Sequence, residues 1–369
     1  MFLLKGRPRS VPSRVTGIVL PGLCVVLAGL LVVDSPLAMQ GARDGLALCG
    51  QVVIPSLYPF FVLSGLFAQL SGARRREGRG RAMRTLLRQP SGAAGVVLMG
   101  LLGGYPMGAK TAAQFYERGL LTRGQAQRLQ LFCVNAGPAY LIGAVGTGLL
   151  GSRRAGAILF ISMAAASLLI GLCTRFLASR EDTCVVPAIR DEKKSFDQLL
   201  LTAVGQATGS ILGVCAWIVL FSTLCALLRR LPVGLWGAIP VLNVFLEVSS
   251  GAQAAVRAGV ALPVLCAALG WGGLSVHCQL LGDIRKTGLP LQLFWASRLL
   301  HGGMAAALCH QLLKWFPVDI AASIVDAARL EGAAATSVKL WAVSAPAAAA
   351  ALFFCAFLIL DLDLNRKIC

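Results

Sequence analysis

Gly103-Gly104-Tyr105-Pro106 and Gly272-Gly273-Leu274-Ser275 each interrupt a long apolar stretch. Each is followed by a Gly-Leu pair, Gly119-Leu120 and Gly288-Leu289, at one common offset of 169 residues (272 − 103 and 288 − 119). A Gly doublet breaks a helix and exposes backbone groups. At membrane depth such backbone survives only where it is buried in protein or faces a cavity. Paired interruptions in two halves of a chain are the mark of a binding site built from discontinuous helices.

The surroundings of the doublets support a membrane setting. The 369 residues are 57% hydrophobic and 14% charged, with mean hydropathy +0.75, against about 25% charged in soluble domains. Ten apolar segments run over roughly 15–33, 48–70, 91–116, 129–150, 155–178, 198–228, 233–256, 259–282, 290–314 and 338–360. Most exceed the ~18 residues that span a bilayer. None shows the alternation of a membrane strand, so the expected class is an all-α polytopic membrane protein. Pro55 with Pro59, and Pro138, leave segments 48–70 and 129–150 open as re-entrant hairpins instead of spans. The organisation expected is a basic N-terminus (1–14), a first repeat (15–178), a polar loop (179–197), a second repeat (198–360) and a short tail (361–369). Lys5, Arg7, Arg9 and Arg14 precede an apolar run too long for a typical signal peptide, so a retained first span is expected.

The net charge of +18 belongs to loops beside apolar segments, and no nucleic-acid motif accompanies it. Arg74, Arg75, Arg76, Arg79, Arg81, Arg84 and Arg88 crowd one loop, and Arg153-Arg154 and Arg229-Arg230 mark two others. If every segment crosses once, these share a side with the N-terminus, and that side is cytoplasmic. Loops 179–197 and 316–337, with mixed or acidic charge, then lie outside. Arg118, Arg123 and Arg128 run against this scheme by falling on the outer side. The result is an N-in, C-in protein of a bacterial cell membrane. The doublets fall in the third and eighth segments, so five plus five spans form an inverted repeat with broken helices or re-entrant hairpins.

Glu247, within Asn243-Val244-Phe245-Leu246-Glu247-Val248-Ser249-Ser250-Gly251, is the sharpest candidate for chemistry. A carboxylate in an apolar segment is costly unless protonated, paired or hydrated, and is a functional-site hypothesis by default. It serves either as a substrate or coupling-ion site with Ser249, or as a structural group paired with another helix, Arg298 being the candidate partner. Pro106 fits the first turn of a new half-helix, whose free N–H groups and dipole, with Lys110 one turn on, suit an anion. Snorkelling to an interface is the plain alternative for Lys110. At the offset of 169, Ser275 matches Pro106 and reads as an N-cap, and Gln279 matches Lys110. His277 is a candidate proton relay or a packing residue, and Asn135, in Asn135-Ala136-Gly137-Pro138, a candidate ligand-facing amide. Tyr105 and Trp271 flank the doublets as stacking walls or packing residues.

Twelve Cys without a CxxC pair and three His without metal-type spacing point to no disulfide framework, no metal and no cofactor. No hydrolase, Walker or dinucleotide fingerprint is present, so the chain is not expected to be an enzyme. The partners expected are a small anionic substrate, a coupling ion (H⁺ or Na⁺) and the lipid bilayer, with no nucleic acid.

Taken together, these motifs resemble the sporulation integral membrane protein family of the YlbJ type (stage V sporulation protein V), within the wider Gate-domain, or nucleoside-recognition, group. The residues that carry the resemblance are Pro55-Ser56-Leu57-Tyr58-Pro59-Phe60-Phe61, Gly104 to Lys110, Asn135-Ala136-Gly137-Pro138 with Gly143-Ala144-Val145-Gly146, Leu246-Glu247 to Gly251, and Gly272 to Gln279. Gly137, Ser249-Ser250 and Trp271 depart from the residues usual there. The resemblance implies export of dipicolinate, a planar dianion, from the mother cell across the outer forespore membrane. Nucleosides stay open as ligands, as does a non-transporting scaffold for the spore envelope.

Overall fold

The computed structural model describes residues 13–71, 81–179, 195–228 and 239–318, and all its regular elements there are helical. The tenth apolar segment, 338–360, lies outside the described residues. Helix α1 (Ser13–Val33) is followed by α2 (Ser35–Leu48), a π turn (Cys49–Val53) and α3 (Ile54–Ser71), which run on as one long element. After α4 (Arg81–Leu86) come α5 (Ala93–Leu102), α6 (Tyr105–Glu117), α7 (Arg123–Phe132), a π-helix (Ala139–Leu149) and α8 (Arg153–Thr174). The second series is α9 (Phe196–Leu228), α10 (Ile239–Leu246), α11 (Val248–Arg257), α12 (Leu262–Trp271), α13 (Gly273–Thr287) and α14 (Leu291–Trp315). Among the described residues, four elements are long and apolar enough to cross a membrane: Ser35–Phe67, Arg153–Leu177, Phe196–Leu228 and Leu262–Thr287.

Two pairs of short helices fold back on themselves. A Cβ added at Gly100 or at Gly108 would meet Cys133, although the two lie on opposite sides of the Gly103-Gly104 break. In a straight helix eight residues are about 12 Å apart, so α5 and α6 form a hairpin. Its two ends return to one place: Gln89 Nε2, before α5, donates to the Gln125 carbonyl at 3.3 Å, and Arg128 Nη1 and Nη2 donate to the carbonyls of Leu87 and Arg88 at 3.1 and 2.8 Å. In α11, a Cβ at Gly251 would collide with the backbone of Val244 in α10, so α10 and α11 form a second hairpin, turning at Glu247. Such close backbone approach needs a residue without a side chain, as between helices in membranes generally.

The hairpins are therefore segments 91–116 and 233–256, not the Pro-containing segments 48–70 and 129–150 that the sequence leaves open. Segment 48–70 belongs to the long α2–α3 element, antiparallel to α9 along its length: Gly41 and Gly45 meet Ser222, while Gln69 Nε2 donates to the Leu199 carbonyl at 3.1 Å. Segment 129–150 is a broken helix, α7 and the π-helix separated by residues 133–138.

The element order repeats: long helix, hairpin, broken helix, single helix, first over α2–α8 and again over α9–α14. This corrects the offset of 169. That register pairs Gly103-Gly104, a hairpin tip, with Gly272-Gly273, a break within the helix pair α12–α13. By element order, the counterpart of Gly103-Gly104 is Glu247, and that of Gly272 is the 133–138 segment.

The two hairpins enter from opposite ends. The Arg123 end gathers residues 87–89, the α6–α7 turn and the last turn of α13. Arg123 Nε and Gln127 Nε2 both donate to the Thr287 carbonyl, at 2.9 and 2.8 Å, and Lys286 pairs with Glu117 at 3.1 Å. Since α12–α13 runs toward that end, the second hairpin, which precedes α12, opens at the other, the Arg257 end. Polarity is inverted relative to a soluble bundle. In α14, Ser297, Arg298 and His301 are buried while Leu299 and Leu300 are exposed; Leu212, Leu220, Ile161 and Val264 likewise face outward. Apolar side chains out and polar groups in is the arrangement that lipid requires, and the protein is a multi-pass membrane protein.

Candidate functional site

Both hairpin tips end at mid-height against a break in another helix. Gly104, at φ +87°, turns the chain into α6, whose first turn holds Pro106; there the missing N–H costs no helical bond. The tip packs on the unwound 133–138 segment, because a Cβ on Gly137 would lie 2.8 Å from the Leu102 carbonyl oxygen and 3.0 Å from the Gly104 nitrogen. The second tip packs on the Gly272-Gly273 break, where a Cβ on Gly273 would lie 2.9 Å from the Val248 nitrogen. Gly272 and Gly273 have φ of +88° and +78°, a region that residues with a Cβ rarely adopt.

Two tyrosines cross-link the halves. Tyr105 Oη, in the first hairpin, donates to the Leu269 carbonyl of α12 at 2.7 Å. Tyr140 Oη, just after the first break, donates to the Val248 carbonyl of the second hairpin at 3.3 Å. Their rings stand 6.5 Å apart, tilted by 60°. Beside them Glu247 is fully buried. It sits at the N-cap of α11, its carboxylate accepting from the Ser249 and Ser250 N–H groups at 3.1 and 2.6 Å. It makes no ion pair among the described residues. Glu247 thus fills with its own carboxyl group the anion position that the positive end of a helix dipole offers.

These groups border one narrow cavity with about 50 Å³ of free volume. Of the residues singled out in the sequence, Gly104, Tyr105, Pro106, Glu247, Ser249 and Gln279 line it. Gln279 makes no hydrogen bond among the described residues, so its amide is available to whatever enters. Tyr140 and Ser56, which the sequence does not single out as site residues, line the cavity too. Ser56 stands in the Pro55–Phe61 motif, and Tyr140 follows the Asn135–Pro138 break by two residues, which is the cue that locates it.

Other expected site residues lie elsewhere. Lys110 hydrogen-bonds Ser210 of α9 and lines a separate cleft toward the Arg123 end. Asn135 Nδ2 is spent on the Phe132 and Gly100 carbonyls and Ser167 Oγ, at 3.2, 3.4 and 3.1 Å, pinning the unwound segment to its neighbours. Ser275 is not a cap: α13 begins at Gly273 with Gly272 before it, and the Ser275 hydroxyl is buried without a hydrogen-bond partner. His277 Nε2 lies 3.0 Å from the Trp271 carbonyl, with its ring edge-on to Trp271 and Phe294 at 4.2 and 5.3 Å. That is a packing position away from the cavity. Trp271 stacks on Phe245 at 4.8 Å and donates to its carbonyl at 3.1 Å, so its ring serves the second hairpin, not a ligand. Gly103, Gly272 and Gly273 shape the tip and the break.

Glu247 and Arg298 do not pair. Arg298, 1% exposed, sends Nη1 and Nη2 to the Val134 and Leu131 carbonyls. It supplies donors to the first unwound segment, which buried in protein has no water to supply them. His301 performs a similar task at the second break: Nδ1 lies 3.1 Å from the Gly270 carbonyl, and Nε2 3.0 Å from that of Met163. The arrangement is a mostly apolar pocket walled by both hairpin tips, by Gly137 of the first break and by two phenols, with one buried carboxyl group in its lining.

Among curated proteins, the sporulation integral membrane protein YlbJ of Bacillus subtilis (strain 168) is 26% identical over 349 residues, covering 83% of this chain and 84% of that protein. No protein-family model matches the chain, and no solved structure matches it.

Proposed function

For a chain related to the YlbJ-type sporulation integral membrane proteins, we propose the function of a secondary transporter that moves a small planar anion by alternating access. One observation carries this reading. Two hairpins from opposite ends meet two broken helices beside a cavity lined by aliphatic side chains, two phenols, Gln279 and a buried carboxyl group. Backbone without helical partners at membrane depth is expensive, and discontinuous helices near the midplane are how transporters build substrate and ion sites. A space of about 50 Å³ holds waters but no organic acid. A ligand therefore enters only when one hairpin moves relative to the other half, and the tyrosine cross-links are the contacts that such movement breaks.

The substrate that the resemblance favours is dipicolinate, carried across the outer forespore membrane. Tyr105 and Tyr140 supply flat walls, and Gln279 a donor. Glu247 fills the N-terminus of α11, so the anion's charge falls to the α6 side. Glu247 itself is the candidate coupling group, because an intramembrane carboxyl group is where a proton relay is built. The Arg123 end is the cytoplasmic one in this proposal. With the first hairpin returning to its own side, Arg118 and Arg123 come to the same side as Arg84 and Arg88, in line with the positive-inside rule, whereas Arg153-Arg154, at the start of α8, moves to the opposite end from the one the sequence assigned it. The N-in, C-in orientation is kept.

Vesicles containing the purified full-length protein test the proposal. Labelled dipicolinate should be taken up by wild type, with uptake driven by a pH gradient lost in Glu247→Gln. Uptake of nucleosides in place of dipicolinate would reassign the substrate, and transport of neither would replace the proposal with a scaffold role.

A further inference from the structure

The central cavity has a neighbour one helical turn away. Pro106 of α6, Gln279 of α13 and Val214 of α9 line the cavity, while Lys110, Asp283 and Ser210, each four residues along the same helix, line a cleft of about 400 Å³ between those three helices. Residues four apart share a helix face, so three helix faces run without a gap from the cavity to the Arg123 end. The Lys110–Ser210 hydrogen bond joins the first hairpin to α9 at the step between the two spaces.

The cleft has the charge for an anion. Lys110, Arg118 and Lys286 face Glu117 and Asp283, three positive groups against two negative. Lys286 engages both carboxylates, Glu117 at 3.1 Å and Asp283 at 3.8 Å. The hydrogen-bond partner of Lys110 is a neutral hydroxyl, which an incoming carboxylate displaces with a gain in Coulomb energy. Lys110 is half-buried, and the Asp283 carboxylate is the opposite charge that acts on it in the cleft.

We propose that the α6–α9–α13 cleft is a second binding site, for a small carboxylate anion held by Lys110, and that Lys110 leaving Ser210 for the anion opens the way to the central cavity. This rests on the transporter reading for the role of the site, but not for its chemistry.

The experiment uses full-length protein in vesicles, with thiol-modification rates taken as the excess over wild type, whose native cysteines set the background. At Gln206→Cys, in the cleft, a methanethiosulfonate reagent bearing a sulfonate should react faster than one bearing an ammonium. Lys110→Met should reduce that preference about tenfold, the size expected for one charge at a partly screened site, and Lys110→Arg should keep it. At Val214→Cys, in the cavity, modification should be slow and should rise in the Ser210→Ala background. Equal rates for the two reagents at Gln206→Cys, or a preference indifferent to Lys110→Met, overturn the anion site. A Val214→Cys rate unmoved by Ser210→Ala overturns the gate. If the preference holds but dipicolinate is not carried, the site stands and the substrate reading falls. If dipicolinate is carried without the preference, the transporter stands and this site falls.

Discussion

The Tyr105 hydroxyl donates to the Leu269 carbonyl at 2.7 Å, tying the tip of one hairpin to the last turn of a broken helix from the other half. A helix leaves its last carbonyls unmatched, and here a phenol from elsewhere in the chain supplies the donor. Tyr105→Phe should leave that carbonyl unpaired and lower stability by about 1 kcal/mol, the scale of hydrogen bonds between membrane helices. A thermal melt in detergent reads it. Because the ring still packs, the variant should fold, and an unchanged melting temperature would contradict the role given to the bond.

Arg298 should matter more. Its guanidinium serves the Leu131 and Val134 carbonyls together, and Arg298→Gln leaves at least one without a donor. The expected loss is about 3 kcal/mol, as for a broken buried polar network. Arg298→Lys should recover only part of it, since an ammonium does not reproduce the planar fork. Comparable melting of Arg298→Lys and wild type would show that charge, not the two-pronged geometry, is what the break needs.

Backbone proximity yields a sharper contrast. A Cβ at Gly270 would lie 2.6 Å from Gly302 Cα, between α12 and α14, whereas a Cβ at Gly213 of α9 meets nothing within 4 Å. Gly270→Ala should cost about 1–3 kcal/mol through overpacking. Gly213→Ala should be neutral or stabilising by up to about 1 kcal/mol, because Ala favours helix. Melting the two variants side by side checks both signs.

Glu247 separates capping from coupling. Glu247→Ala removes the acceptor for the Ser249 and Ser250 N–H groups and should cost about 1 kcal/mol or more as a lost N-cap. Glu247→Gln keeps one acceptor and the fold but cannot titrate. Substrate exchange at equal pH should survive in Glu247→Gln while accumulation against a pH gradient disappears. Accumulation at the wild-type rate would remove Glu247 from the coupling mechanism.

The elements were more legible than their partnerships. Gly103-Gly104 and Gly272-Gly273 announce broken backbone, since Gly in an apolar run has few other uses, and Glu247 announces itself by cost. The common offset of 169 residues nevertheless pairs a hairpin tip with a mid-helix break, because glycine serves both and its spacing does not say which. Lys110 reads as a site residue by lying one turn past a half-helix start, but it faces α9 and not the cavity. Tyr140 stands two residues past the Asn135–Pro138 break, which marks its neighbourhood, but its reach to the Val248 carbonyl, more than a hundred residues on, is a tertiary contact.

The sequence by itself determined the solvent and the class: apolar runs long enough for a bilayer, with charge confined between them, admit helices alone, because each helix satisfies its own backbone. It also determined where the backbone must break. Only the tertiary structure decided which apolar segments fold back. A hairpin and a span of about 25 residues have the same hydropathy, and what distinguishes them is whether Gly251 touches Val244 and Gly100 and Gly108 share Cys133. That same long-range packing places Arg298 on the first break and leaves Glu247 alone in the cavity, a separation of two opposite charges that no reading of local pattern contains.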